Sequence, residues 1–333
     1  MTVTEDASAA VDTPTPVPLD PELAAMIPVL RTVLPEFTLT AETIPQLRET
    51  MTLFRDQTDA LIASLPVEVE ERTIPGPAGA PDLTVSIARP RQRPAAPAPC
   101  VYFIHGGGMV MGDRYTGIPV DLVVRFGVTA VSVEYRLAPE HPDPAPVEDC
   151  YAGLVWVAEH AAELGIDPDR IMVNGQSAGG GLAAGVTLLA RDRGGPSLAG
   201  SALVCPMLDD RDRTVSTRQH EKAVVWDRRS NRTGWAALLG ERVGGPDVSP
   251  YAAPARAADL SGLPPTFLDV GSAEVFRDEI VEYASRIWAA GGSAELHVWA
   301  GAFHGSDRML PTAAVSDAAQ QARAAWIART LGV

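Results

Sequence analysis

The chain has 333 residues, a formal net charge of −15 and a sequence pI of about 4.8. This acidic balance argues against nucleic-acid binding, because proteins that bind phosphate backbones concentrate Lys and Arg on one face. The length is sufficient for one large α/β domain. No apolar run reaches the roughly 18 residues that a membrane-spanning helix needs.

Two features of the chain bear on where the protein works. Residues 1–18 combine acidic, Pro and Thr residues without a basic region, so they lack the pattern of a secretory signal and are predicted to be disordered. The three cysteines, Cys100, Cys150 and Cys205, are odd in number and lack metal-ligand spacing. They indicate reduced core thiols in a cytoplasmic protein without a metal site.

Eight strand candidates follow one another along the chain. They cover residues 67–74, 82–89, 99–104, 128–134, 170–174, 199–205, 265–270 and 294–299. Helical patterns fill most of the gaps beyond residue 146, and this alternation predicts an α/β fold with a mainly parallel sheet and helices on both faces. Two helical segments, 19–65 and 207–250, fall outside the alternation.

The third predicted strand runs directly into His105-Gly106-Gly107-Gly108. Consecutive glycines let the backbone approach a substrate closely and turn its N–H groups inward. An H-G-G-G motif after the third strand is the oxyanion-hole motif of lipases and esterases. We therefore expect Gly107 and Gly108 to donate hydrogen bonds to an oxyanion, with His105 and Gly106 in support.

A second glycine-rich motif, Gly175-Gln176-Ser177-Ala178-Gly179, follows the fifth predicted strand and precedes a helical pattern. In a G-x-S-x-G elbow, the serine lies on a tight strand-to-helix turn with its hydroxyl exposed. The helix N-terminus then directs unpaired N–H groups toward developing negative charge. The motif predicts Ser177 as a nucleophile and the Ala178 N–H as a further oxyanion donor.

The order of residues in such hydrolases is serine, then acid, then histidine. Of the six histidines, only His297 and His304 follow the candidate acids. His297 lies within a strand-like run, whereas His304 lies in a loop beyond that run. Catalytic groups occur more often in loops at strand ends, so His304 is the preferred base.

Three acids are candidates for the third member of the triad. Asp269 lies within the seventh predicted strand, and Glu274 lies in the loop that follows it. Asp278 comes one helical turn later, where it can instead balance charge at a helix start. Glu274 is the first choice and Asp278 the second.

Together these motifs resemble the hormone-sensitive-lipase-like esterases, or bacterial family IV esterases, of the α/β-hydrolase superfamily. Beyond the two glycine motifs, the resemblance is carried by Tyr135–Pro142, Glu148–Tyr151, Gly271–Glu279 and Phe303–Gly305. It spans roughly residues 65–330. The chain departs from the family where Gln176 and Glu274 stand in place of the usual aspartates.

The resemblance implies an α/β-hydrolase fold with a catalytic core at 66–206 and 251–333, and a helical cap formed by 19–65 and 207–250. Trp226 and Trp235 of the cap are expected to form an acyl or alcohol pocket. The implied function is a serine carboxylesterase that acts on short- to medium-chain esters of small molecules without a cofactor. Homodimers through the last strand occur in the family.

Several alternatives stay open. The same triad could cleave an amide or a lactone, or transfer the acyl group to an alcohol. A non-catalytic binding protein is a further alternative, because the plant gibberellin receptors resemble these esterases but have lost the triad histidine. The presence of His304 favours an enzyme. A faint likeness of Gly179–Gly185 to a dinucleotide-binding turn follows the fifth strand instead of the first, which argues against that function.

Overall fold

Eight strands form one sheet in the computed structural model of the chain, which describes residues 14–33, 39–52, 55–92, 96–115 and 119–333. The strands are β1 (Val67–Ile74), β2 (Leu83–Pro90), β3 (Ala98–Ile104), β4 (Thr129–Glu134), β5 (Ile166–Gln176), β6 (Gly200–Val204), β7 (Thr266–Gly271) and β8 (Ala294–Trp299). Their order across the sheet is β1-β2-β4-β3-β5-β6-β7-β8. Strand β2 pairs antiparallel with β1 and β4, and all other neighbours are parallel. The predicted, mostly parallel sheet is confirmed.

One strand is longer than its apolar run predicts. Strand β5 begins at Ile166, which pairs with Ala98 before a register shift in β3, and it continues to Gln176. The part between Ile166 and the apolar run is polar and partly exposed. The early start of the strand is therefore fixed by pairing with β3 and not by hydrophobicity.

Helices cover both faces of the sheet. Within the described residues they are α1 (Pro21–Val33), α2 (Ile44–Thr52), α3 (Arg55–Ser64), α4 (Val120–Phe126), α5 (Ala145–Glu159), α6 (Ala161–Leu164), α7 (Ala178–Arg193), α8 (Val215–Gln219), α9 (Arg228–Leu239), α10 (Arg277–Ala289), α11 (Ser306–Met309) and α12 (Ala314–Leu331). Side chains alternate between faces along each strand. Tyr102 packs with the cluster that includes α5, α7 and α10, and its neighbour Val101 with the cluster that includes α4 and α12.

The segments outside the alternation are helical, as predicted. Helices α1 to α3 precede β1, and α8 and α9 lie between β6 and β7. Their assignment to a cap stays a prediction. The disorder predicted for 1–18 falls mostly on residues 1–13, which lie outside the described residues. Across the part of the chain that the structure describes, no helix combines the length and the apolar character needed to cross a membrane.

Candidate active site

Ser177 occupies the turn between β5 and α7. Its φ of +58° lies in the left-handed region, which is strained for a residue with a side chain. The turn is held in place because the Ser177 N–H donates to the Val204 carbonyl at 2.8 Å, and the Ser177 carbonyl accepts from the N–H groups of Gly181 and Met207 at 3.0 Å. This is the geometry that the G-x-S-x-G motif predicts.

The glycines on either side of Ser177 are required by close packing. A Cβ atom on Gly175 would lie 2.1 Å from the Gly179 carbonyl oxygen, and one on Gly179 would lie 2.1 Å from the Ile104 carbonyl oxygen. Any side chain at either position would push α7 away from β5 or β3. The turn therefore depends on both residues being glycine.

Ser177, His304 and Glu274 come together at the carboxyl edge of the sheet. His304 lies in the loop between β8 and α11, with its Nε2 atom 2.9 Å from Ser177 Oγ and its Nδ1 atom 3.1 Å from Glu274 Oε1. Ser177, Glu274 and His304 are 8%, 1% and 9% exposed. With Nδ1–H donating to the carboxylate, Nε2 is free to accept the serine proton.

Burial dominates the electrostatics of Glu274. Desolvation raises the pKa of its carboxyl, while the His304 imidazole and the Gly271 N–H oppose that rise. The Phe276 ring, 5.2 Å from the imidazole in an edge-on arrangement, packs beside the pair. In this poorly solvated setting, a carboxylate interacts strongly with an imidazolium that forms next to it.

The second-choice acid, Asp278, lies elsewhere. Its carboxylate accepts from the Ser216 N–H at 2.7 Å and from Arg277 Nε at 2.8 Å. Asp278 lies in the first turn of α10, one helical turn beyond Glu274, and Ser216 lies in α8. The Asp278 carboxylate therefore connects α10 to α8. The structure thus brings Glu274, and not Asp278, to His304.

The two candidates within strands have partners other than Ser177 and His304. Asp269 is buried in β7 and forms an ion pair with Arg323 at 2.8 Å. His297 lies in β8, where its Nε2 atom is 2.9 Å from Glu295 Oε1. Asp269 thus connects β7 to α12, and His297 contacts a side chain of its own strand.

The H-G-G-G loop runs beside Ser177. Gly107 and Gly108 have φ angles of +111° and +63°, which residues with side chains rarely adopt. A Cβ atom on Gly106 would lie 3.3 Å from Ser177 Cβ. Because Ala178 begins α7, its N–H is one of the four that have no partner within the helix. The H-G-G-G loop and the start of α7 therefore both lie beside Ser177.

His105 supports this loop from inside the core. Its ring stacks on Tyr135 with 4.2 Å between centroids, and its Nδ1 atom lies 2.8 Å from the Gly106 carbonyl oxygen. The Tyr135 hydroxyl also donates to the His105 carbonyl at 2.9 Å. Burial lowers the pKa of His105, so its ring is neutral and holds the loop without contributing charge.

Trp226, from segment 207–250, lies beside Gly108 and His304. A Cβ atom on Gly108 would lie 2.5 Å from Cη2 of Trp226, and the indole is 6.4 Å from the His304 ring. Trp226 is 6% exposed. Trp235, which the sequence grouped with it, is 1% exposed, and both tryptophans belong to the main apolar cluster.

Two arginines near the site were not found by sequence reasoning. Arg308 donates to Gln176 Oε1 at 2.7 Å, beside the nucleophile. Arg323 donates to both Asp269 and Asp307. Arg308 is 132 residues from Gln176 in the chain, and no local pattern marks a pair of such separation.

One group of side chains among the described residues has the spacing of metal ligands: Cys205, Glu274 and His304 offer ligand atoms within 4.8 Å of one another. Burial holds the pKa of Cys205 well above its ordinary value, so the thiol stays protonated. Metals bind the thiolate, and Glu274 and His304 are already hydrogen-bonded to each other. The group suits acid–base chemistry better than metal ligation. All three cysteines are free and buried, as predicted.

Comparison with known proteins agrees with this geometry. Residues 101–307 match a family described as having the alpha/beta hydrolase fold. Carboxylesterase NlhH of Mycobacterium tuberculosis is 41% identical over 241 residues, which cover 69% of this chain and 72% of that protein. A bacterial heroin esterase has 43% identity and a TM-score of 0.86 over 94% of this chain and 98% of its own. Esterase LipW from Mycobacterium marinum has 35% identity and a TM-score of 0.84 over 95% and 98%.

Proposed function

Because the chain belongs to the hormone-sensitive-lipase-like branch of the α/β-hydrolase family and is a carboxylic ester hydrolase, we propose that it hydrolyses short- to medium-chain acyl esters through Ser177, His304 and Glu274. The observation that carries this proposal is the continuous hydrogen-bonded path from Ser177 Oγ through the imidazole to the Glu274 carboxylate. Several relatives are esterases by name, which supports the reaction class.

In the acylation step, Ser177 Oγ attacks the ester carbonyl while His304 Nε2 takes its proton. The imidazolium then gives that proton to the leaving alcohol, and Glu274 holds the ring and stabilises its charge. Water attacks the acyl-enzyme in the second step, with His304 again acting as base, and releases the carboxylic acid. No step uses a metal or an organic cofactor.

The oxyanion of both tetrahedral intermediates is bound by the N–H groups of Gly107, Gly108 and Ala178. Losing one such preorganised donor typically costs about 3–4 kcal/mol of transition-state stabilisation. His105 and Gly106 keep the loop in the conformation that directs these donors. The positive φ angles of Gly107 and Gly108 support this assignment.

Segments 19–65 and 207–250 act as a helical cap over a core formed by 66–206 and 251–333. Trp226 is the contact through which the cap closes over Gly108 and His304. Such a covering excludes water and shapes the pocket for the acyl or alcohol group. Exchanging segment 207–250 with that of a relative should change substrate choice, and an unchanged preference would argue against this role.

The test of the reaction is turnover of p-nitrophenyl acetate, butyrate, octanoate and palmitate by the wild-type protein, Ser177→Ala and His304→Ala. We expect turnover to decline beyond butyrate or octanoate and to fall by about 10³-fold or more in both variants. Comparable rates on matched anilides, lactones or acceptor alcohols would favour amidase, lactonase or acyltransferase activity. No turnover of any of these by a folded protein would favour a binding protein.

The environment and assembly of the enzyme follow from less specific features. Free buried thiols fit a cytoplasmic protein. Strand β8 lies at the edge of the sheet and exposes Val298, so it can pair with β8 of a second copy. Light scattering of wild-type protein and Val298→Lys checks this homodimer; equal masses for the two would contradict pairing through β8.

A further inference from the structure

A buried group of three charges lies behind the Glu274–His304 pair. Arg323 of α12 directs one nitrogen, Nη2, to Asp269 Oδ2 at 2.8 Å and to Asp307 Oδ2 at 2.9 Å. All three side chains are largely buried. These three residues are called the arginine cluster below.

The arginine cluster connects the elements that carry the acid and the base. Asp269 lies in β7, and the chain leaves that strand through the loop that contains Glu274. Asp307 lies in α11, three residues beyond His304. Arg323 of α12 therefore contacts both β7 and α11.

We propose that Arg323 is a positioning residue for ester hydrolysis: through Asp269 and Asp307 it fixes the separation of the Glu274 loop and the His304 turn. The inference rests on the proposed triad. Its physical basis is that two backbone segments from different parts of the chain must hold a hydrogen bond of 3.1 Å between their side chains. A misplacement of about 1 Å at such a site can cost about 100-fold in rate.

The charge of Arg323 matters as well as its shape. Six titratable or charged groups interact with Glu274 or line the same small cavity, each from a different element or loop: His304, Cys205, Asp269, Glu279, Asp307 and Arg323. Three of these are acids, and burial raises the pKa of Asp269 while Arg323 opposes that rise. The guanidinium is thus the counter-charge of the buried Asp269 carboxylate.

A small cavity next to the arginine cluster extends the connection. It has a volume of about 20 Å³, and its lining includes Asp269, Glu274, Ser316 and Arg323. Asp269 Oδ1, Ser316 Oγ and Arg323 Nε are buried polar atoms without a protein partner. A cavity of this size with two to four polar partners fits one water molecule. Such a water would add a hydrogen-bonded link between α12 and β7.

The experiment compares Asp307→Asn, Arg323→Gln and Arg323→Lys with wild type, measuring kcat, KM and the pH profile on p-nitrophenyl butyrate. Arg329→Gln is the matched control, because Arg329 lies on the same helix and forms an ion pair with Glu295, but is 62% exposed and remote from the site. We expect kcat to fall by about 10- to 100-fold in Asp307→Asn and Arg323→Gln, with KM within about 2-fold of wild type. Arg329→Gln should behave as wild type.

The pH profile distinguishes a positioning role from a general loss of fold stability, because Arg323→Gln and Asp307→Asn change the local charge in opposite directions. Arg323→Gln removes a positive charge, which favours protonation of the Glu274–His304 pair, so the acid limb of kcat/KM should move to higher pH. Asp307→Asn removes a negative charge, so the limb should move to lower pH. Arg323→Lys retains the charge and should leave the limb at its wild-type position.

Two outcomes would overturn the inference. One is a lower unfolding midpoint with kcat and the acid limb unchanged, which would show a structural role alone. The other is the same limb shift in both variants. If Arg323→Gln does not fold, Asp307→Asn still decides, since it leaves the Asp269–Arg323 pair in place. If Ser177→Ala retains full turnover, the proposed triad is wrong. If Ser177→Ala is inactive but Asp307→Asn has the kcat and pH profile of wild type, the triad stands and only the positioning role is wrong.

Discussion

Two regions of the molecule meet at Ser177, and they are held by different forces. The carboxyl edge of the sheet fixes its turns through backbone hydrogen bonds and glycine conformations. Trp226 of segment 207–250, called the covering segment below for its proposed role, lies beside that edge, and side-chain ion pairs such as Asp212 with Arg228 at 2.9 Å connect parts of the segment. A turn that is fixed by backbone hydrogen bonds and glycine conformations tolerates few substitutions, whereas side-chain ion pairs can be replaced one at a time. We therefore expect the edge to determine rate and the covering segment to determine substrate choice.

The largest expected effect lies at the edge. Glu274→Gln keeps the shape of the side chain but removes the charge that holds the imidazole tautomer, so kcat on p-nitrophenyl butyrate should fall by about 10³- to 10⁴-fold. Asp278→Asn is the matched control and should stay within about 3-fold of wild type, because Asp278 contacts Ser216 instead of His304. The reverse ranking of the two variants would assign the acid to Asp278.

A second substitution tests the contact between the two regions. Gly108→Ala places a methyl group 2.5 Å from the Trp226 ring and at a φ of +63°, so the oxyanion loop must shift. We expect kcat to fall by about 100-fold, the usual consequence of losing an oxyanion donor. Gly127→Ala is the control, since Gly127 has φ +67° but open space around its Cα. An equal loss in both variants would show that backbone strain, and not the clash with Trp226, is responsible.

Sequence predicts the backbone-fixed edge of the site better than the side-chain contacts around it. The two glycine motifs are contiguous because a strand, a tight turn and a helix start need particular residues at fixed spacing, so Ser177 and Gly108 could be predicted from them. His304 could be predicted from the order of the chain and from its loop beyond the last strand. Sequence constrains the position of the acid less, since a carboxylate can reach an imidazole from several positions of one loop. Contacts such as Arg308 with Gln176 join residues 132 apart, so only the folded chain shows them.

The covering segment should affect selectivity more than rate. Trp226→Ala removes a buried ring beside His304, which enlarges the space available to the ester. We expect the ratio of kcat/KM for octanoate to that for acetate to rise by about 10-fold, within the range for removed contacts in apolar pockets. Trp288→Ala, an exposed tryptophan on α10, is the control. A uniform loss on all chain lengths would instead make Trp226 part of the rate-determining edge.

The smallest expected effect concerns segment 19–65. Arg48 of α2 binds both oxygens of Glu140 at 2.8 and 2.9 Å, and it also donates to the Val110 carbonyl, two residues beyond Gly108. Hydrogen bonding to Arg48 lowers the pKa of Glu140 from an ordinary 4.5 to about 2. Because this folded-state pKa is depressed, the pair stabilises the protein fully above pH 4.5 and loses that effect as pH falls toward 2.

Glu140→Gln should therefore lower the free energy of unfolding at pH 7 by less than about 1 kcal/mol, since the Glu140 side chain is 56% exposed and solvent screens the pair. The difference from wild type should shrink steadily between pH 4.5 and pH 2.5 in urea titrations. Glu159→Gln, at the exposed end of α5, should show no such trend. A difference that stays constant with pH would mean that packing, and not charge, holds segment 19–65 against residues 105–110. Segment 19–65 would then differ from the ion-paired covering segment.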